Sequence, residues 1–337
     1  MRVVPWTGVD RHDAPIPQGR PVDVLAIGET MVMVTPVGGR LDADGTYILR
    51  PGGAESNVAA LLAQLGHSTA WASAVGGDPL GDIVVNALRA YGVNVDLVRR
   101  DAGRPTAVYF KDPTSSGTAV YYYRQGSAAS AMTVAEAAGW AALPSRVTHI
   151  SGITAALSAQ CLDLTRHIVF DRPLRPSVVS FDVNHRAGLW SGEAPDVLLE
   201  IARRADIVFV GRDEAAALWG TSDAESVREL LDGPPYLIVK DAAIEAVGFT
   251  PTGVHREPSM PVEVLDAVGA GDAFAAGWLS GFLDGRDEVT RLRLGHYAAS
   301  RVLMSPADLA DLPPADEVVT LLAEGAHTHV ADRRPCH

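Results

Sequence analysis

A chain of 337 residues with 47% hydrophobic and 20% charged side chains can bury a sizeable core and is too apolar to be disordered. A formal charge of −13 speaks against a nucleic-acid partner, which calls for a basic surface, so an anionic small substrate would need a local cluster of arginines. With no run of about 18 apolar residues to span a bilayer and only Cys161 and Cys336 as cysteines, neither a membrane helix nor a disulfide framework is expected.

Residues 1–21 carry Pro5, Pro15 and Pro17 with little periodicity and no apolar signal core, which predicts a loose leader on a cytoplasmic protein. DVLAIGE (23–29) is a short apolar run ended by Gly28 and reads as a buried strand. Similar runs recur at 68–76, 147–152, 177–184, 205–211 and 236–240, and helical patterns at 55–66, 158–170 and 224–233 lie among them. Strand alternating with helix predicts an α/β protein with a doubly wound, mostly parallel sheet flanked by helices. Two segments break the rhythm. Residues 31–50 and 104–125 alternate with period two around turns, with VYF and VYYY flanking DPTSSG as a hairpin. They predict a small antiparallel β lid inserted into a single domain over 22–323, and residues 324–337 read as a second loose tail.

Lys111 and Lys240 are the only lysines and neither follows G-x-x-x-x-G, so a Walker A phosphate loop is absent. LDAVGAGDAFAAGW (265–278) offers another way to hold an anion. Gly269 and Gly271 let backbone N–H groups converge where a helix begins, and such a start stabilises negative charge through its unpaired donors and its dipole. Asp272 in that first turn suits a helix-start charge, or a base beside the anion. RPGGAESNVAALLAQLG (50–66) sets Gly52–Gly53 before Glu55, Ser56 and Asn57 at another helix start, as caps or as ligands. SFDVNHR (180–186) ends a buried strand in Asp182, Asn184 and Arg186, and ligands of doubly wound sheets sit beyond the carboxyl ends of strands. In YYYRQGSAAS (121–130), alternation sends Tyr122 and Arg124 to one face of the lid and Tyr121 and Tyr123 to the other.

In this order the features resemble the PfkB, or ribokinase-like, family of carbohydrate kinases over about residues 22–323. D-A-V-G-A-G-D at 266–272 resembles the C-terminal signature and G-G-x-x-x-N-x-A at 52–59 the N-terminal one. Within the family, GGAESNVA, RPTAVY, YYYRQGSAAS and FDVNHRAGLW are most similar to 2-keto-3-deoxygluconate kinases. The resemblance implies a ribokinase-like fold, use of ATP with Mg²⁺, and phosphorylation of a sugar acid at its terminal primary hydroxyl to give a 6-phosphate. It implies Asp272 as base and the backbone of Gly269, Ala270 and Gly271 as the anion hole. Gly53, Asn57, Tyr109, Tyr122, Arg124 and Arg186 would surround the sugar acid, with Arg124 pairing its carboxylate. Asn184, Arg186, Lys240, Gly269 and Gly271 would face the nucleotide. No dedicated metal-ligand set is implied, because Mg²⁺ on nucleotide phosphates keeps much of its water. The alternatives are a fructokinase or other neutral-sugar kinase, and a homologue that binds sugar or nucleotide without transfer. Lids that pair across subunits in the family imply a homodimer.

The chain departs from the family pattern at three places. K-D-A-A-I-E-A (240–246) stands where a glycine-rich turn is usual, and an alanine at φ > 0 costs roughly 1 kcal/mol or more. The family's N-x-x-E appears as Gly211-Arg212-Asp213-Glu214, and Ala267 and Val268 replace common threonines.

Overall fold

The structure is a computed structural model and describes residues 21–114, 117–190 and 192–331. Strand β1 (Val22–Ile27) leads out to a hairpin, β2 (Met31–Pro36) and β3 (Tyr47–Gly52), and the chain returns through α1 (Ala54–Gln64) to β4 (Thr69–Gly76). After α2 (Pro79–Ala90) and the short β5 (Val98–Asp101), a second excursion forms β6 (Val108–Thr114) and β7 (Gly117–Tyr123). Helix α3 (Val134–Trp140), β8 (Ser145–Ser151), α4 (Gly152–Ala156), α5 (Ala159–Arg166) and β9 (Val178–Asp182) continue the alternation. It carries on through α6 (Ala194–Ala202), β10 (Ile207–Gly211), α7 (Arg212–Trp219), α8 (Ala224–Leu230) and β11 (Tyr236–Asp241). The meander β12 (Glu245–Thr250) and β13 (Gly253–Pro258) then precedes α9 (Ala270–Leu283), α10 (Glu288–Leu303) and α11 (Ala315–Ala331).

The main sheet runs in the order β13-β12-β11-β10-β9-β8-β1-β4-β5, parallel from β11 to β5 and antiparallel only at the β12–β13 edge. Its central strands are covered on both faces, which is why β1 and β4 read as continuous apolar runs rather than alternating ones. The expected parallel α/β architecture is therefore observed.

The two excursions form the small sheet β3-β2-β6-β7, two antiparallel hairpins joined by the parallel β2–β6 pair. β6 continues through Asp112 and Pro113 to Thr114, so the strands of the expected hairpin are longer than VYF and VYYY. Beneath it Met31, Met33, Ala107 and Tyr109 cluster with Ala307, which seats the lid on the loop after α10.

Helix α9 is buried along nearly its whole length. Trp278 anchors it, meeting Phe209 edge-on at 5.5 Å and stacking on Phe282 at 5.6 Å, and each such aromatic pair contributes about 0.5–1.5 kcal/mol beyond its buried area. At the far end the expected tail departs from the structure: α11 runs on to Ala331, with no proline between 315 and 331 to end it. Residues 1–20 and 332–337, the remainder of the two expected tails, lie outside the described residues. Among the described residues no helix is long and apolar enough to cross a membrane.

Candidate active site

The turn into α9 is shaped by Asp266 and Asp308. Asp266 Oδ1 accepts the Val268 amide at 3.1 Å, and Gly269 follows at φ 85°, in the left-handed region that favours glycine. A Cβ at Gly269 would lie 2.6 Å from the Asp308 carbonyl oxygen, so the close approach also excludes a side chain. Gly271 and Asp272 are the second and third helical residues, whose amides no helical carbonyl can reach. The amide of Ala270 instead turns back to Ala267 O at 3.4 Å, and Ala270 is not among the residues that line the cleft.

Asp272 is 8% exposed and accepts from Asn57 Nδ2 at 2.9 Å and from Asn184 Nδ2 at 3.4 Å. Burial pushes its pKa up to about 7; the Asn57 hydrogen bond lowers it, Asp182 raises it, and Arg186 and Lys240 lower it. A carboxyl group poised there changes charge near neutrality, which suits it to take up a proton.

Asp272 stands at the junction of two compartments. The larger is an open cleft of about 540 Å³ whose walls include Asn184, Glu214, Lys240 and Gly271. The smaller, under the lid, is bordered by Gly53, Asn57, Tyr109, Arg124 and Asp308. Tyr122, Arg186, Val268, Gly269 and Asp272 border both.

In the larger compartment Asn184 adopts φ 40°, and the loop is held by Glu214, whose carboxylate accepts from the amides of His185 and, at 3.0 Å, of Gly211. Burial raises the pKa of Glu214, with Asp182 adding to the effect. Lys240 reaches this space from the end of β11 and pairs with Asp182 at 3.1 Å. Just beyond it, Ala242 turns the β11–β12 hairpin at φ 39°, so the alanine replaces glycine at a position that does require positive φ.

On the lid, Tyr109 and Tyr122 stack with centroids 5.6 Å apart, and the Tyr109 hydroxyl donates to Asp308 Oδ2 at 2.5 Å. Arg124 lies 5.9 Å over Tyr122, on the same side as expected, while Tyr121 and Tyr123 line an apolar hollow on the opposite face. Arg124 is not a free cation, however. Its Nε and Nη2 donate to Glu29 Oε2 at 2.7 and 2.6 Å, and Ser127 Oγ donates to the other oxygen of the same buried carboxylate.

The fold thus brings Gly53, Asn57, Tyr109, Tyr122, Arg124, Asn184, Arg186, Lys240, Gly269, Gly271 and Asp272 around one cleft, with Ala270 the exception. Sequence reasoning missed Glu29 and Asp308, which sit in loops where periodicity carries no signal. It also passed over Lys111, although alternation along β6 puts Lys111 on the same face as Tyr109. Among the described residues no three His, Cys, Asp or Glu side chains converge on a metal position.

The family model described as "pfkB family carbohydrate kinase" matches residues 22–314. The chain is 32% identical over 323 residues to a 2-dehydro-3-deoxygluconokinase of Bacillus subtilis (strain 168), an alignment covering 91% of this chain and 98% of that one. It is also 32% identical over 266 residues to fructokinase-2 of Zea mays, covering 76% and 78% of the two chains. Among solved structures, a PfkB protein from Polaromonas sp. JS666 superposes with a TM-score of 0.79 at 32% identity, covering 89% of this chain and 99% of that one.

Proposed function

The chain belongs to the pfkB family of carbohydrate kinases and is a sugar kinase, and from that premise we propose that it phosphorylates 2-keto-3-deoxygluconate, a sugar acid, at its terminal primary hydroxyl with ATP. The observation that carries this reading is the position of Asp272 between the two compartments, with Arg124 and Arg186 both bordering the smaller one.

In this reading the sugar acid occupies the compartment under the lid and ATP the open cleft. Asp272 takes the proton of the terminal hydroxyl, the freed oxygen bonds to the γ-phosphorus, and the bond to the β–γ bridging oxygen breaks to release ADP. Phosphoryl transfer needs alignment and charge stabilisation more than covalent help, so amides at the start of α9 can stand in for a phosphate loop. Lys240 and Arg186 add positive charge on the cleft side, and Glu214 keeps Asn184 in place. The buried Oδ1 of Asn57 has no hydrogen-bond donor among the described residues and is free to accept a sugar hydroxyl.

The donor set fits a Mg²⁺ that arrives with the nucleotide: Asp182, paired with Lys240, and Glu214 border the cleft, able to accept from its water shell, and no protein cage is formed among the described residues. When bound, the ion offsets charge on the transferring phosphates.

A neutral-sugar kinase is the second reading, and the Glu29–Arg124 pair favours it, because Glu29 already compensates the lid cation. A panel of sugar acids and neutral sugars, assayed for ADP release, separates the two. Turnover of 2-keto-3-deoxygluconate well above fructose supports the proposal; the reverse order selects the neutral-sugar reading, and no turnover by folded protein removes both. We also propose that two copies pair through their lids, since β7 is an edge strand and its outer face exposes Tyr121 and Tyr123. Sedimentation as a monomer at micromolar concentration would remove the dimer. Use of ATP accords with a cytoplasmic location.

A further inference from the structure

Lys111 projects from the underside of the lid and is 1% exposed. Its Nζ donates to Asp266 Oδ2 at 2.7 Å and to Asp308 Oδ1 at 2.6 Å. Each carboxylate uses its other oxygen to hold something at the site. Asp266 Oδ1 holds the Val268 amide at 3.1 Å, and Asp308 Oδ2 holds the Tyr109 hydroxyl at 2.5 Å. The backbone of Asp308 in turn presses on Gly269, where a Cβ would come within 2.6 Å of its carbonyl oxygen. One ammonium is therefore bonded to the two segments that set the path of the chain into α9.

We infer that Lys111 is a positioning residue for phosphoryl transfer: by bridging Asp266 and Asp308 it couples the seating of the lid to the geometry of the anion-binding backbone at 269–272. Lys111 borders neither compartment and acts through the two carboxylates. Burial opposes its charge, but Asp308 and Asp266 outweigh burial and hold its pKa above the ordinary lysine value. Without the ammonium, buried Asp308 and partly buried Asp266 would face each other with their charges uncompensated, and the loop they anchor would have to move. The strand that brings Tyr109 to the substrate compartment is thus also the strand that braces the anion hole. The catalytic consequence rests on the kinase reading above; the structural coupling does not.

Two measurements on the full chain test this, hydrogen–deuterium exchange of amides 264–275 and steady-state kinetics with Mg-ATP and the accepted sugar. Lys111→Met removes the charge and keeps most of the volume; it is expected to speed exchange at 264–275 about tenfold. It should also lower kcat about 10²-fold, while KM for the sugar stays within roughly fivefold. Lys111→Ala leaves room for a small cation, and methylammonium should reverse both effects where tetramethylammonium at equal ionic strength does not. If neither variant folds, Asp266→Asn, which keeps the Lys111–Asp308 pair, takes the same two measurements with the same expected directions. Unchanged exchange in a folded variant, a kcat within roughly threefold of the parent, or equal action of the two ammonium ions overturns the inference. If the parent protein turns over no sugar, the kinase proposal fails by itself and the exchange measurement still decides the coupling.

Discussion

Asn57 donates its side-chain amide to the carboxylate of Asp272 over 2.9 Å, joining the start of α1 to the start of α9 across 215 positions of sequence. The bond lowers the pKa of Asp272 against the stronger opposing effect of burial, and the balance lies at about 7. As a base Asp272 must be ionised, so kcat/KM should rise through pH about 7 and level off above it. Asn57→Leu removes the donor and should move this acid limb upward. An acid limb at an ordinary carboxylate pH, unmoved by the substitution, would exclude Asp272 as the titrating base.

The same shift sets a stability prediction. The folded pKa of about 7 exceeds the ordinary value of 3.8, so the folded state holds a proton that the unfolded chain releases between these values. Stability contributed by this group is present at low pH and is lost as pH rises toward 7. Asp272→Asn, which cannot titrate, should therefore lose less stability than the parent between pH 4 and pH 8, by up to about 4 kcal/mol, although its amide sets one NH₂ against the Asn57 or Asn184 donor. It should also lower turnover by about 10²–10⁴-fold. Denaturant titrations at the two pH values and a rate assay check both; near-parental activity would remove Asp272 from the chemistry.

Gly269→Ala places a methyl group 2.6 Å from the Asp308 carbonyl and a side chain at φ 85°. The conformation alone costs about 1–2 kcal/mol, and displacement of the turn should reduce kcat about 10²-fold. A folded variant with parental kcat would show that the amides at the start of α9 are not positioned by this turn.

Arg124→Met leaves the carboxylate of Glu29, 2% exposed, without its guanidinium partner. Stripping one member of a buried pair typically costs about 3–5 kcal/mol. The double variant Glu29→Gln/Arg124→Met should recover much of that stability while remaining poor on a sugar acid. A single variant as stable as the parent would mean that the pair is weak.

Ala242→Gly should stabilise the β11–β12 hairpin, because Ala242 sits at φ 39° where glycine carries no steric penalty. The expected gain is about 0.5–1 kcal/mol after the entropy of the glycine is set against it. A lower midpoint in chemical denaturation would show that the alanine is not strained.

Much of the fold was legible in order: the apolar runs at 23–29, 68–76 and 236–240 became β1, β4 and β11, since a strand covered on both faces writes its burial directly into composition. The lid hairpin was legible for the complementary reason, that a half-exposed strand alternates, and Tyr122 and Arg124 do share a face. The helix through 324–331 was missed because Gly325, Thr328 and Val330 are weak helix formers and leave no apolar period to read.

By itself the sequence determined the alternation of strand and helix, the glycine turn before Asp272, the absence of a Walker lysine, and the inward face of the lid. Those are local properties, set by backbone conformation and by periods of two and 3.6. Only the tertiary structure decided that Glu29 occupies Arg124 from 95 positions away, and that Lys111 lies buried between Asp266 and Asp308, 155 and 197 positions on. A periodicity states which face a residue presents, whereas its partner depends on the order in which strands and loops are brought together. Each of these ion pairs joins segments, loop to loop or strand to loop, that the chain visits far apart.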